Sequence, residues 1–191
     1  QRQMCIRDRR IRIHKAETNK GAADFSHLLD APAGKHGFVR VKDGHFYFED
    51  GTRIRFLGFN MAARSNTPNH ETAEKLAARF ASMGVNVIRL HAADAPIGEE
   101  PCTWSSCKEA PLLDYERGNS LEFNKAGLDR FDYFVAKLKE RGIYFHIDLI
   151  VARDFVEGDG LDYPGNAGSC IKRFPMYNKR MICLLYTSDA A

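Results

Sequence analysis

The chain has 191 residues, of which 44% are hydrophobic, 28% charged and 11% aromatic. That composition is ordinary for a soluble globular domain and excludes a disordered, collagen-like or disulfide-dense chain. The 28 basic and 25 acidic residues leave a net charge of only +3, scattered along the sequence, so neither nucleic acid nor an anionic membrane is an expected partner, and no apolar run reaches the roughly 18 residues of a membrane span.

In chain order, the first segment is explained by the last. Residues 1–9 read QRQMCIRDR and residues 183–191 read CLLYTSDAA. The two can be encoded by opposite strands of one oligonucleotide, a relation that unrelated protein termini have no reason to share. Both match the translated transposon adapter of a sequencing library. They are expected to be processing scars outside the fold. Residues 10–35 follow as a polar, weakly patterned N-terminal extension, with Pro32 and Gly34 marking a loop, and residues 36–182 are expected to hold the folded domain. Cys102, Cys107 and Cys170 lie within it. Three thiols make no disulfide framework, although the Cys102 to Cys107 spacing permits a loop disulfide, and no His/Cys set nearby suggests zinc.

Two β-like runs, His36–Lys42 and His45–Glu49, flank Asp43-Gly44, a strong hairpin signal because glycine supplies the positive φ of a tight turn. Asp50-Gly51 then leads into a third run, Arg53–Asn60. After it the period changes. Ala73, Leu76, Ala77, Phe80 and Met83 recur at helical spacing, with Pro68 and Asn69 at the start and Gly84 where a left-handed cap belongs. Val85–His91 reads as a buried strand. A long polar connection over 92–120 precedes a second helix with Leu128, Phe131, Val135 and Leu138 on one face, closed by Gly142. Ile143–Val151 is the next strand, and after a long loop over 152–174 a third helix is expected to begin at Pro175–Ile182.

A hairpin followed by β-α-β-α-β and the start of another helix predicts an α/β fold with a parallel sheet covered by helices. Long loops follow the C-terminal ends of strands, whereas the helix-to-strand turns at Gly84 and Gly142 are tight. That asymmetry suits a (β/α)8 TIM barrel, incomplete in this chain: the hairpin plus about the first three β/α units. A doubly wound sheet stays open, but the glycine-rich fingerprints for dinucleotides and nucleotide phosphates are both absent, and no cofactor is expected.

Strand parity locates the polar groups. Ile54, Phe56, Gly58 and Asn60 should share one face of the first barrel strand; Val85, Val87, Arg89 and His91 one face of the second; Tyr144, His146, Asp148 and Ile150 one face of the third. The opposite, apolar sets, such as Ile88 and Leu90 or Phe145, Ile147 and Leu149, should face the helices. Burying an unpaired Arg or Asp costs several kcal/mol. Three strands that place Asn60, Arg89 with His91, and His146 with Asp148 at one end therefore point to a site. Each residue alone has a structural reading: an Arg89–Asp148 ion pair, satisfied core histidines, or a strand cap at Asn60.

The runs Gly58–Asn60 (GFN), Met83–His91 (MGVNVIRLH) and Arg141–Leu149 (RGIYFHIDL) resemble the first three strands of glycoside hydrolase family 5, the cellulase-like retaining β-glycosidases on a TIM barrel. The most specific element is the Asn-Val-x-Arg run at Asn86–Arg89. The resemblance covers about residues 37–182, three of eight barrel strands, with the hairpin similar to one that closes the barrel floor. It implies that Arg89 orients the nucleophilic carboxylate through its guanidinium fork, and that Asn60 and His91 lie near the sugar subsites; the convergence of strand ends adds His146 and Asp148 as candidate substrate-binding residues. Trp104, in the loop after the second strand, would be a stacking platform or a rim anchor. Ile150 stands where many members carry His.

The chemistry needs two carboxylates about 5–5.5 Å apart. The resemblance places them at the ends of the fourth and seventh strands, and none of Glu99, Glu100, Glu109, Glu116 or Glu157 matches either position. The expected partner is a β-linked carbohydrate, the parent is expected to be a hydrolase, and the chain as it stands is expected to be inactive and prone to aggregation through its open sheet edge. A carbohydrate-binding barrel without catalysis and an unrelated TIM-barrel enzyme acting on a phosphorylated metabolite are the alternatives. Gly158–Asp162 lacks the ligand spacing of a calcium loop and reads as loop acids.

Overall fold

The computed structural model describes residues 23–96, 110–153, 155–160 and 179. Strands β1 (Val39–Lys42), β2 (His45–Phe48) and β3 (Arg53–Ile54) form an antiparallel sheet. Strands β4 (Gly58–Ala62), β5 (Val87–His91) and β6 (Tyr144–Ile147) form a second, parallel sheet in chain order, with helices α1 (His70–Ser82) and α2 (Lys125–Glu140) as the connections. The described residues are thus α/β. The expected start of a third helix at Pro175–Ile182 lies outside them except for Lys179, which is helical.

Local chemistry explains the boundaries. The hairpin turns on Asp43 and Gly44, both at positive φ (+50° and +73°), the geometry of a two-residue turn that matches strand twist. Asn69 caps α1 by accepting from the Thr72 N–H at 2.8 Å, and Asn124 caps α2 by accepting from Gly127 at 3.0 Å. Both helices end in the same way. Gly84 bonds back to Ala81 and Val85 to Phe80; Gly142 bonds back to Lys139 and Ile143 to Leu138. In each case a left-handed glycine, φ +72° or +78°, is followed by a buried apolar residue that starts the next strand segment.

The third run, expected as one strand over Arg53–Asn60, is split between the sheets. Ile54 pairs with Phe46 in the hairpin sheet, whereas Asn60 pairs with Arg89 in the parallel sheet, so Ile54 and Phe56 do not continue the face of Asn60. The Asn86 side chain accounts for the break. Its amide accepts from the Leu57 N–H at 2.7 Å and donates to the Arg55 carbonyl at 2.8 Å, occupying backbone groups that a ladder would have used. Gly58 then meets β5 so closely that a Cβ would lie 2.6 Å from Val87 Cγ1. Strand β6 is also shorter than expected, ending at Ile147, although the Asp148 N–H still donates to the Leu90 carbonyl at 3.2 Å.

The core lies between the parallel sheet and the helices. Ile88 and Leu90 of the central strand are fully buried against Phe134 and Leu138 of α2 and the alanine row Ala73, Ala77 and Ala81 of α1. Small alanines let α1 approach closely, and α2 buries Gly127, Phe134 and Leu138 fully, with Phe131 and Val135 of the expected face packed half-buried beside them. Met83 falls just past the end of α1 and is exposed. The expectation that every outward strand residue faces a helix needs correction at the edges. Phe59 on β4 and Phe145 on β6 are each 46% exposed, whereas Met61 on β4 is buried and Ile147 on β6 packs half-buried against the same core, so α1 and α2 cover the edge strands only in part. Below the sheet, the extension packs on α2: the Ala33 N–H takes the Lys139 carbonyl at 2.9 Å, and the Gly34 N–H takes the Tyr144 hydroxyl at 3.1 Å.

Candidate functional site

Register places the site. Asn60, Arg89 and His146 are direct neighbours across the three parallel strands, and Ala62 lies opposite His91. Asn60 and Arg89 stand at the midpoints of β4 and β5, with His91 at the C-terminal end of β5 and His146 in the C-terminal half of β6, all on the face away from the helices. Asp148, one residue beyond β6, is the hub. Its carboxylate accepts from Arg89 Nη2 at 2.5 Å and Nε at 3.4 Å, and from His91 Nδ1 at 2.6 Å. A carboxylate only accepts, so this contact puts the His91 proton on Nδ1. His146 Nε2 stands 3.4 Å away on the other oxygen. Arg89 completes the row by donating from Nη1 to Asn60 Oδ1 at 3.1 Å.

The electrostatics follow. The Asp148 side chain is 16% exposed, and the hydrogen bond from His91 together with the charge and hydrogen bonds of Arg89 outweighs its desolvation, holding the carboxyl below the usual aspartate range. Arg89 keeps 46% of its side chain open and His146 67%, so the cluster presents cationic and imidazole edges to the open face of the sheet. Among the described residues no group of three or more His, Cys, Asp or Glu side chains could hold a metal ion. Five of the six residues singled out from sequence therefore come together. Trp104 lies outside the described residues, as do Cys102, Cys107, Cys170, Glu99, Glu100 and Glu109. Glu116 and Glu157 are described and exposed.

The segments that leave the strands carry further buried polar groups, and periodicity gives no signal for them. Asp94, 6% exposed, accepts from the backbone N–H groups of Val151, Ala152 and Arg153 at 2.7, 3.0 and 3.1 Å. Asp159 accepts from the Ser120 N–H and hydroxyl at 2.7 and 2.8 Å and from the Val156 N–H at 2.8 Å, and Leu161 and Asp162 of that segment lie outside the described residues. Arg153 Nε donates to the Ser120 hydroxyl at 2.9 Å. Asn66, fully buried, donates to the His91 carbonyl at 2.8 Å. The signal available in sequence was position alone, since Asp94 stands three residues after His91 in a loop leaving a strand end. Ala63 and Ala92, immediately after β4 and β5, both have positive φ (+48° and +52°), a conformation costly for alanine that persists where surroundings over-determine it.

No family model and no curated protein matches the chain. Among solved structures, the chain is similar to a glycoside hydrolase family 5 protein from Bacteroides vulgatus ATCC 8482, with 17% identity and a TM-score of 0.43 over 62% of this chain and 26% of that one. It is also similar to a structure described as a glycoside hydrolase, with 19% identity and a TM-score of 0.43 over the same shares. The chain spans about a quarter of the length of either protein. No described helix is long and apolar enough to cross a membrane.

Proposed function

We propose that the chain is the N-terminal part of a retaining O-glycoside hydrolase on a (β/α)8 barrel, acting on β-linked polysaccharide or oligosaccharide of the cellulose or mannan kind. The observation that carries this reading is the continuous row Asn60–Arg89–Asp148–His91 on three adjacent parallel strands, which runs from the middle of β4 and β5 to the C-terminal end of β5 and just past β6, toward the end where barrel enzymes do their chemistry. The row has the chemistry sugars need: an arginine fork fixed on two sides, imidazole edges, and an amide, able to donate to hydroxyls and to orient a carboxylate. The sequence likeness of the same three strands to glycoside hydrolase family 5 points the same way. In this reading Arg89 orients the nucleophile, while Asn60, His91, His146 and Asp148 line the subsite floor. The acid/base and the nucleophile are glutamates at the ends of a fourth and a seventh strand.

The test is the longer reading frame. It is expected to encode an Asn-Glu pair after a fourth strand and a second Glu after a seventh. The expressed longer protein should hydrolyse β-glucan or mannan, and either Glu→Gln change should abolish turnover. A longer frame without both glutamates defeats the hydrolase reading. Binding of the same glycans without turnover would instead support a carbohydrate-binding barrel, a reading that Ile150 leaves open. The purified 191-residue chain should show no turnover of either polymer.

A further inference from the structure

Asp148 and Asp94 tie the same two loops in opposite directions. Asp148, leaving β6, reaches back to Arg89 and His91 on β5. Asp94, leaving β5, reaches forward to three consecutive N–H groups at 151–153 in the segment leaving β6. The last ladder bond of β6 is Asp148 N–H to Leu90 carbonyl, so the Asp148 carboxylate is carried between that bond and the Asp94 grip a few residues on. A buried carboxylate needs its acceptor capacity filled, and three charge-assisted backbone bonds fill it without a cation. The Asp94 end is itself held. The Tyr115 hydroxyl donates to the Asp94 carbonyl at 3.0 Å, and Ala92 is buried in a left-handed conformation that turns the chain out of β5.

We propose that Asp94 is a positioning residue: by gripping the 151–153 backbone it sets where the Asp148 carboxylate meets Arg89 and His91. Nothing in the reaction requires Asp94 to touch a sugar. Its place in a catalytic cycle rests on the glycosidase reading above, but the brace itself does not. The groups facing Asp148 are Arg89, His91 and His146, so displacement of the carboxylate from them changes its charge environment directly.

The experiment follows the Asp148 side-chain carboxyl by carbon NMR across an acid titration in the wild-type chain, Asp94→Ala and Asp94→Asn. Asp50 on the hairpin serves as an internal control. With the brace lost in Asp94→Ala, the Asp148 midpoint should rise toward the ordinary aspartate range while Asp50 stays put. Asp94→Asn, which can keep its oxygen on the two N–H groups that share Oδ2, should rise less. A folded variant of either kind with the wild-type Asp148 midpoint overturns the proposal. The reciprocal measurement needs no change at Asp94. Coupling acts both ways, so Asp148→Asn should speed amide hydrogen exchange at 151–153 relative to Phe48 on the hairpin, and unchanged exchange there also overturns it. Turnover by the longer protein reads the glycosidase proposal separately, so the two can fail independently.

Discussion

Replacing Asp148 by Asn removes the charge at the centre of the cluster while keeping its shape, and its effect on stability should depend on pH in a defined direction. Hydrogen bonds to charged groups contribute about 1.5–3 kcal/mol. The Arg89 partner is 46% exposed, so solvent screening cuts its share to below about 1 kcal/mol. The His91 bond is better shielded, with that side chain 22% exposed. An Asn oxygen retains one acceptor position, so the expected loss at pH 7 is about 1–2 kcal/mol. The Asp148 carboxyl is held below its ordinary value, so its contribution is fully present above the unfolded-state value near ~3.9 and is lost as pH falls through the depressed folded value. Urea unfolding of wild type and Asp148→Asn, followed by circular dichroism at steps from neutral to strongly acidic pH, should give a gap that closes on the acid side. A gap that stays constant across that range, or no gap at pH 7, would refute the reasoning.

Two further outcomes bear on the scaffold. Phe134→Ala empties a fully buried position and should cost about 3–5 kcal/mol, whereas Phe145→Ala, at a side chain 46% exposed, should cost about 1 kcal/mol or less; equal losses in urea unfolding would contradict the placing of Phe145 at the uncovered edge of the sheet. His36 presents both ring nitrogens to carboxylates, Asp30 and Asp50, and both can donate only from the imidazolium, consistent with a value raised first by the Asp30 hydrogen bond and then by Asp50. Its stabilising effect should therefore be complete below the unfolded histidine value and vanish as pH rises through the raised one. Thermal melts of His36→Gln should lack that alkaline decline, and an identical pH profile in the variant would sink the assignment.

Much of the molecule was legible without coordinates because it is set by short-range chemistry. Asp43-Gly44 must turn, Asn69 and Gly84 bracket a helix, and the alternation Val-Ile-Arg-Leu-His in β5 can bury Ile88 and Leu90 only by turning Arg89 and His91 to the other face. The same parity argument brought Asn60 and His146 into the row. What the sequence could not decide was pairing between distant segments. Whether Arg53–Asn60 is one strand or two depends on the Asn86 amide, some thirty residues away, taking backbone groups at Leu57 and Arg55. Whether Phe145 is core depends on which helices lie over it, and local pattern carries no trace of that. Asp94 belongs to the same class: an acidic residue in a loop has no period, and only tertiary structure brings 151–153 to its carboxylate. Sequence by itself thus determined which face of each strand is polar, since side-chain alternation is a property of one chain segment. Tertiary structure alone decided which of those polar groups meet and what holds them there, because a hydrogen bond between strand ends depends on a register that no single segment contains.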